Sequence, residues 1–263
     1  MYLLDRFENK YIIKGILKAE SPIHIGTGTV DFSPTAVDTP VIRDENNNPF
    51  IPGSSLKGVL RSFMERLLCS GIFNEYKSCN ILDKDSGKKM ELCISDKEVK
   101  EIKEKYKNDS NKEEKIASDI YKKECDVCKL FGGDYFASKL NILDARLISD
   151  KAYVQIRDGI AIDRDTLTVN DGAKFGFECV AAGTEFNFEM TVDNLDDNHK
   201  DLLKIILNFL QEGEMKVGGK TSAGLGNVKL ISKSAYCITK ENMREYFING
   251  INDDNKSLLE VSL

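Results

Sequence analysis

Two amphipathic helical segments, each lying between strand-like segments, constrain the fold of this chain most strongly. In the first, apolar residues recur at i, i+3 and i+4 over three turns from Leu56, after an entry through Gly53-Ser54-Ser55 and before a stop at Gly71. The second covers about 198–211. Each apolar stripe is wide enough to bury one helix face against a sheet.

Short segments with strand character surround both helices. They lie at 11–19, 141–148, 152–156, 175–180, 185–192 and 227–231. We expect 175–180 and 185–192 to form a hairpin around Ala182-Gly183. The order β, α, β, β, α, β predicts an α+β protein with a modified ferredoxin-like, RRM-like fold and large insertions. We expect a single domain over 1–240, followed by a C-terminal tail over 241–263.

A polar insertion at about 72–135 interrupts this order after the first helix. Its part at 95–124 is dense in Lys, Glu, Asp and Asn, which is typical of exposed helices or a mobile segment with little core. The insertion also contains Cys125-Asp126-Val127-Cys128, a C-x-x-C motif, with Cys79 and Cys93 upstream. Four thiolates, or three with a His, suit a tetrahedral structural Zn²⁺.

Two alternatives accompany this metal site. The spacing from Cys79 to Cys93 is loose, so Cys69 or a His could supply the fourth ligand in place of Cys79. A redox role competes with metal binding, although this C-x-x-C motif does not follow the start of a thioredoxin-like βαβ unit. The odd total of seven cysteines, in a chain expected in a reducing compartment, favours ligands and buried thiols over disulfides.

Composition argues against a generic polyanion-binding protein but leaves room for local basic sites. The chain has 37 Lys and Arg against 43 Asp and Glu, a net charge of −6. The Gly-rich stretch 214–233 departs from this average with four lysines and one acid. No apolar run reaches the roughly 18 residues that span a bilayer, and the N-terminus lacks a signal-peptide pattern. We therefore expect a cytoplasmic protein with no membrane partner.

Two segments of small and basic residues are candidates for contact with phosphates. Gly218-Gly219-Lys220-Thr221-Ser222 would let backbone N–H groups and a cation approach a phosphodiester, and its alternative is a flexible connection. This loop is not an NTP-binding P-loop, because Glu214 replaces a required glycine. The second segment combines the N-terminus of a helix with two hydroxyl groups and two cations: it is Ser54-Ser55-Leu56-Lys57, followed by Arg61 one turn later. The alternative there is a solvated basic helix face.

A long polar loop after the first strand contains His24, Asp31 and Asp38. A carboxylate on such a loop can bind a divalent cation or orient a scissile phosphate, whereas capping of a local turn is the structural alternative. His24 could assist that chemistry or pack within the loop.

Four motifs occur in a defined order between about His24 and Leu230. They are Ala36-Val37-Asp38-Thr39-Pro40-Val41-Ile42 continued by Ile51-Pro52-Gly53-Ser54-Ser55-Leu56-Lys57-Gly58-Val59-Leu60-Arg61, then Cys128-Lys129-Leu130-Phe131-Gly132, Ile160-Ala161-Ile162-Asp163-Arg164 and Gly218-Gly219-Lys220-Thr221-Ser222-Ala223-Gly224-Leu225-Gly226. Together they resemble the RAMP-superfamily backbone subunits of type III CRISPR effector complexes, of the Csm and related kinds. The cysteine cluster departs from many such subunits and is similar to a zinc-containing branch closer to subtype III-D.

The resemblance implies a palm that binds CRISPR RNA together with further copies of itself and other type III subunits. It implies that the Gly-rich loop, the helix that begins at Ser54 and the cation Arg164 contact RNA. It also implies a thumb hairpin within about 152–176 that displaces guide–target base pairs. In active members, the Asp that matches Asp38 supports cleavage of target single-stranded RNA with Mg²⁺ or another divalent cation. Asp31, in the same loop, is the alternative acid.

The leading hypothesis is therefore a CRISPR RNA-binding backbone subunit that cleaves guide-paired target RNA through Asp38. A non-catalytic RNA-binding scaffold is the second hypothesis, because the same fold serves both roles. A stand-alone zinc or redox protein without an RNA partner is the third.

Overall fold

Strands in the described part of the chain form two antiparallel sheets. The computed structural model describes residues 6–27, 38–79, 93–253 and 255–263. The strands are β1 (Asn9–Ala19), β2 (Leu140–Ile142), β3 (Val154–Ile162), β4 (Val169–Val180), β5 (Glu185–Asp193), β6 (Met215–Lys216) and β7 (Asn227–Thr239). The main sheet has the order β2, β5, β1, β7, β6, while β3 and β4 form a separate two-stranded sheet.

The order of elements confirms the predicted α+β, ferredoxin-like fold. The helices are α1 (Gly53–Leu68), α2 (Asp96–Lys105), α3 (Lys112–Lys123), α4 (Asp126–Phe131), α5 (Lys200–Gln211), α6 (Met243–Asn249) and α7 (Lys256–Leu259). Along the chain, β1, α1, β2, β5, α5 and β7 follow the split βαβ pattern, and their strands lie in the order β2, β5, β1, β7. The remaining elements are insertions into this pattern or follow it.

Both predicted amphipathic helices form and pack into the core on one face of the main sheet. Their buried residues are Leu56, Leu60, Met64 and Leu68 in α1, and Leu202, Leu203, Ile206, Leu207 and Leu210 in α5. The first helix begins very close to β2, since a Cβ on Gly53 would lie 2.2 Å from the carbonyl oxygen of Ile142. Glycine at this position therefore lets α1 approach the sheet.

The predicted hairpin between 175–180 and 185–192 is wrong, although both segments lie in strands. β5 pairs with β1 and β2, whereas β4 pairs with β3. The alternating residues of β5 are buried as expected: Phe186, Phe188, Met190 and Val192. Alternation identifies the buried face of a strand but not its neighbour, which is why the pairing was mistaken.

The polar insertion has a small core of its own. Residues 95–124 form α2 and α3, which confirms the helical prediction, and Ser95 and Glu98 make a capping box at the start of α2. The buried residues of this small core are Ile94, Val99, Ile102 and Ile120. The expectation of little core therefore needs correction, because these few apolar residues face one another.

The C-terminal residues cover the other face of the main sheet. Successive residues of a strand point to opposite faces, so Ile12 lies opposite the core that contains Ile13. A second buried cluster consists of Ile12, Tyr236, Ile238 and Leu259, and α6 and α7 contact β7. Residues 241–263, expected as a tail, thus pack on the sheet in their described part. No described helix has the length and apolar character needed to cross a bilayer.

The sheet of β3 and β4 is a hairpin inserted between β2 and β5. Asp163 stabilises its turn by accepting hydrogen bonds from the backbone N–H groups of Asp165 and Thr166. Several large apolar side chains are exposed along the hairpin: Ile156, Ile160, Ile162, Leu167 and Val169. The hairpin covers most of the region 152–176 that the family resemblance assigns to a thumb.

Candidate functional site

Two pieces of the polar loop after β1 lie against the base of β4. The N–H of Ile42 donates to the carbonyl of Ile25 over 2.9 Å, which joins the two pieces. The N–H of Glu178, in β4, donates to the carbonyl of Thr39 over 3.1 Å. Backbone hydrogen bonds therefore attach this loop to the base of the hairpin.

Asp38 lies at this base and is exposed. Its Oδ2 accepts a hydrogen bond of 2.7 Å from the N–H of Gly176 in β4. An exposed carboxylate held in this way remains able to bind a cation or accept a proton. The alternative acid, Asp31, lies outside the described residues.

His24 is buried at the junction of the loop and the hairpin. Its Nδ1 donates to the carbonyl of Glu178 over 2.7 Å, and its ring meets the ring of Phe177 edge-on with centroids 5.4 Å apart. A carbonyl only accepts hydrogen bonds, so Nδ1 carries a proton. Within the described ranges, no hydrogen bond joins this ring to Asp38. Packing is the role that the structure supports for His24.

Glu178 and Arg43 hold the segment that carries Asp38. The Glu178 carboxylate accepts a hydrogen bond of 3.0 Å from the N–H of Val41 and lies 3.1 Å from the Arg43 guanidinium. Neither residue carries a signal in the sequence, because a Glu in a strand and an Arg in a loop have no distinctive spacing. They are 135 positions apart, and only the fold brings them together.

The Gly-rich loop after β6 packs closely on the backbone of His24. Gly218 has a φ of +80°, and a Cβ there would lie 2.2 Å from the carbonyl oxygen of His24. The N–H of Gly219 donates to that oxygen over 2.8 Å. Thr221 is half-buried and Ser222 is exposed in the short 3₁₀ turn that follows. The loop is therefore packed against the segment that carries His24.

Replacing Gly218 by Ala is expected to lower the melting temperature by more than the same change at Gly224. Both glycines have positive φ, which costs an Ala roughly 1–2 kcal/mol, but a Cβ on Gly224 would meet no atom within 4 Å. Thermal unfolding of both variants measures the difference. Equal losses would contradict the close packing of Gly218 against His24.

Lys220 lies over aromatic rings at the base of the hairpin. Its Nζ is 4.5 Å from the ring centroids of both Phe175 and Phe177, which is a cation–π distance. Gly176, whose N–H holds Asp38, lies between these two residues in β4. The predicted RNA-binding lysine and the predicted catalytic acid therefore contact the same short stretch of β4.

The start of α1 offers a mixed environment for an anion. The N–H of Gly53 donates to Asp144 Oδ1 over 2.8 Å, so an acid already occupies part of the helix N-terminus. Ser54 is exposed and Ser55 is half-buried. Lys57 is also half-buried, and burial followed by a neighbouring guanidinium lowers its pKa. The negative charge of a phosphate beside Lys57 would favour the charged ammonium and so oppose this lowering.

Arg61 is held by groups of this chain, so the alternative of a solvated basic helix face is wrong for this residue. Its guanidinium donates to Glu65 Oε1 over 2.8 Å, to the carbonyl of Gly132 over 2.7 Å and to Cys128 Sγ over 3.5 Å. The insertion folds back onto this side of α1, which helical periodicity could not reveal.

Arg164 lies in the exposed turn of the hairpin, away from Asp38. The turn follows Ile162, whereas Gly176 pairs with Asp158 nearer the base. At about 3.3 Å per residue, the four residues from Asp158 to Ile162 put the start of the turn about 13 Å along the hairpin from this pair. The structure does not bring Arg164 together with Asp38.

The four cysteines assigned to the metal site come together in the insertion. The Sγ atoms of Cys79, Cys93, Cys125 and Cys128 lie within 4.8 Å of one another. The Sγ atoms of Cys79 and Cys128 are 3.4 Å apart. Sulfurs around a tetrahedral metal at about 2.3 Å lie roughly 3.8 Å from each other. The cluster can therefore hold a metal ion.

The alternative ligands lie outside this cluster. Cys69 is exposed beyond the end of α1, and His199 is hydrogen-bonded through Nε2 to Asp126 Oδ1 over 2.8 Å. Hydrogen bonding between Cys125 and Cys128 lowers the pKa of Cys125 and raises the pKa of Cys128. Four cysteine ligands are thus the set that the described residues support.

Comparisons with known proteins identify the family to which this chain belongs. The family model of the RAMP superfamily matches residues 16–229. A protein of Methanocaldococcus jannaschii named CRISPR system Cms endoribonuclease Csm3 is 28% identical over 89% of this chain and 84% of its own length. A protein of Streptococcus thermophilus with the same name is 26% identical over 81% of this chain and 83% of its own length. Because the family model matches well over half of its residues, this chain belongs to the RAMP superfamily.

Proposed function

We propose that this chain is a CRISPR RNA-binding backbone subunit of a type III interference complex and cleaves guide-paired target RNA through Asp38. Family membership and the names of its relatives support the class of activity. The observation that carries the assignment is the exposed Asp38 carboxylate, held by the N–H of Gly176 at the base of the hairpin.

The guide strand has two contact regions in this proposal. Lys57 is half-buried on α1 without an ion-pair partner among the described residues, and Ser54 and Ser55 add hydroxyl groups at the helix start. The Gly-rich loop exposes backbone at Gly218, whereas the N–H of the neighbouring Gly219 already donates to the carbonyl of His24. Such groups bind phosphates and orient the strand without reading its sequence.

The hairpin of β3 and β4 acts as the thumb that separates guide and target at one position. Its exposed apolar residues, such as Ile160 and Leu167, can wedge between stacked bases, and Arg164 in the turn can contact a phosphate. A displaced nucleotide can swing its 2′-OH into line with the adjacent phosphate. In this proposal Asp38, at the base of the same hairpin, acts on that nucleotide.

Asp38 suits a divalent cation that is shared with the substrate. Mg²⁺ commonly binds through one or two carboxylates together with substrate phosphates and water, so a single exposed acid is sufficient. When bound, Mg²⁺ or a similar ion would stabilise the charge that develops on the scissile phosphate. The anchoring of Asp38 by Gly176 positions its carboxylate before substrate arrives.

The four-cysteine cluster holds a structural Zn²⁺ in this proposal. Four thiolates leave no open position for a substrate, which is typical of structural zinc sites. Free cysteines persist in the cytoplasm, where we place the complex. Its partners are CRISPR RNA, target RNA, further copies of this chain and other type III subunits.

Reconstitution with a guide RNA tests the proposal directly. We expect a paired target RNA to be cut at regular intervals in Mg²⁺, and EDTA to stop the cutting. Guide binding without any cutting would favour the scaffold alternative. Protein that purifies without nucleic acid and lacks affinity for single-stranded RNA at low salt would favour a stand-alone zinc protein.

Replacing Lys57 by Ala is expected to weaken binding of single-stranded RNA about fivefold, which corresponds to roughly 1 kcal/mol. One phosphate contact is lost, so the slope of log affinity against log salt should become shallower by about 0.7. Titrations at several salt concentrations measure both effects. Lys97→Ala, at an exposed position in α2, is the control; an equal loss there would contradict a specific role for Lys57.

A further inference from the structure

Arg61 is bound on every side by groups of this chain. Its Nε donates to Glu65 Oε1 over 2.8 Å, and one terminal nitrogen donates to the carbonyl of Gly132 over 2.7 Å. The other terminal nitrogen donates to Cys128 Sγ over 3.5 Å. The guanidinium therefore spans from α1 to the metal-binding turn, and it is only 21% exposed.

A cation at this position would offset the charge of the loaded metal centre. Four thiolates outweigh the charge of one divalent ion, so the loaded cluster is a net anion in a largely buried site. Glu124, next to Cys125 in the chain, offers no compensating positive charge, and its buried carboxylate has no hydrogen-bond partner among the described residues. Lys129 lies in α4, and its Nζ forms an ion pair with Asp126 Oδ1 over 4.0 Å. Arg61 is the described cation that donates directly to a cluster sulfur.

We propose that Arg61 is a positioning residue of the metal centre, where it stabilises the Cys128 thiolate and ties α1 to the end of α4, and that it is not a ligand of RNA phosphate. This inference rests on the proposed binding of zinc. Hydrogen bonds to ligand atoms orient the ligand and tune its affinity for the metal, and their loss commonly costs 10- to 100-fold in affinity.

The same geometry couples the metal centre to the RNA-binding side of α1. Lys57 precedes Arg61 by one helical turn, so both project from neighbouring positions on this helix. Gly132, which ends α4, accepts the shortest of the three Arg61 hydrogen bonds. Loss of the ion would therefore loosen the side of α1 that carries Lys57.

The test is the rate at which zinc-loaded full-length chain releases zinc to a chromogenic chelator. We expect Arg61→Met to release zinc about 10- to 100-fold faster than the unmodified chain. The rate of zinc release from Arg61→Lys should lie between the rates of Arg61→Met and the unmodified chain, because a compact ammonium cannot reach three acceptors in different directions. Arg66→Met, five residues later on an exposed position of α1, is the matched control and should release zinc at the unmodified rate.

A second measurement separates this role from RNA contact. With zinc in excess, Arg61→Met should bind single-stranded RNA within about twofold of the unmodified chain, whereas Lys57→Ala loses about fivefold. Unchanged zinc release in both Arg61 variants would overturn the inference, as would an RNA defect as large as that of Lys57→Ala. If Arg61→Met fails to fold, Arg61→Lys carries the same comparison. An unmodified chain that takes up no zinc would instead overturn the proposed metal centre itself.

Discussion

Replacing Asp38 by Asn is expected to slow target RNA cleavage by about 100-fold or more while guide binding is retained. A positioned acid–base group contributes about 10²- to 10⁴-fold to such a reaction, and loss of the charge also removes the proposed cation ligand. The Asn carbonyl can still accept the hydrogen bond from Gly176, so the segment stays attached to β4. Single-turnover cleavage by the assembled complex measures the rate.

Two further variants make this result specific to the Asp38 charge. Asp38→Ala removes both the charge and the anchor to Gly176, so it should be at least as slow as Asp38→Asn. Glu45→Gln removes an exposed acid of the same loop, one that pairs with Arg146, and should cut at the unmodified rate. Cleavage that continues at every interval in Asp38→Asn would eliminate the catalytic assignment and leave the scaffold role.

Replacing Cys125 and Cys128 by Ser together is expected to abolish metal binding and to destabilise the chain. An ion that binds only the folded state stabilises it by about 4 kcal/mol when its free concentration is 1,000 times the dissociation constant. Each kcal/mol corresponds to about 2–4 °C in a domain of this size, so the melting temperature should fall by about 8–16 °C. Elemental analysis and thermal unfolding measure the two effects.

Cys69→Ser is the matched control for the double variant. Cys69 is exposed and lies outside the group of four sulfurs, so its replacement should change neither metal content nor melting temperature. Freshly prepared, reduced protein without metal would contradict the site. A metal content that persists in the Cys125 and Cys128 variant would show that other ligands hold the ion.

Local periodicity accounts for the parts of the fold that the sequence predicted. Helix spacing from Leu56 identified α1, and alternation from Phe186 to Val192 identified the buried face of β5. The order of these elements was enough to predict the ferredoxin-like class. Strand pairing was not predictable in the same way, because each strand face is compatible with several neighbours.

Residue chemistry accounts for the parts of the site that the sequence predicted. The C-x-x-C motif with Cys79 and Cys93 indicated a tetrahedral metal site, and the described structure brings these sulfurs together. Asp38 stood in a recognisable motif, but its attachment to Gly176 depends on β4, which lies 138 positions away. Glu178 had no local signal at all.

Sequence by itself determined the class of fold, the family and the residue types available for chemistry, because these depend on patterns within short segments. The tertiary structure decided which cations remain available to RNA. Arg61 and Lys57 are equivalent in helical spacing, yet the insertion packs against Arg61 and leaves Lys57 without an ion-pair partner among the described residues. The reason is physical: a hydrogen bond or an ion pair depends on distances of a few ångströms, and residues far apart in the chain reach such distances only when the whole fold forms.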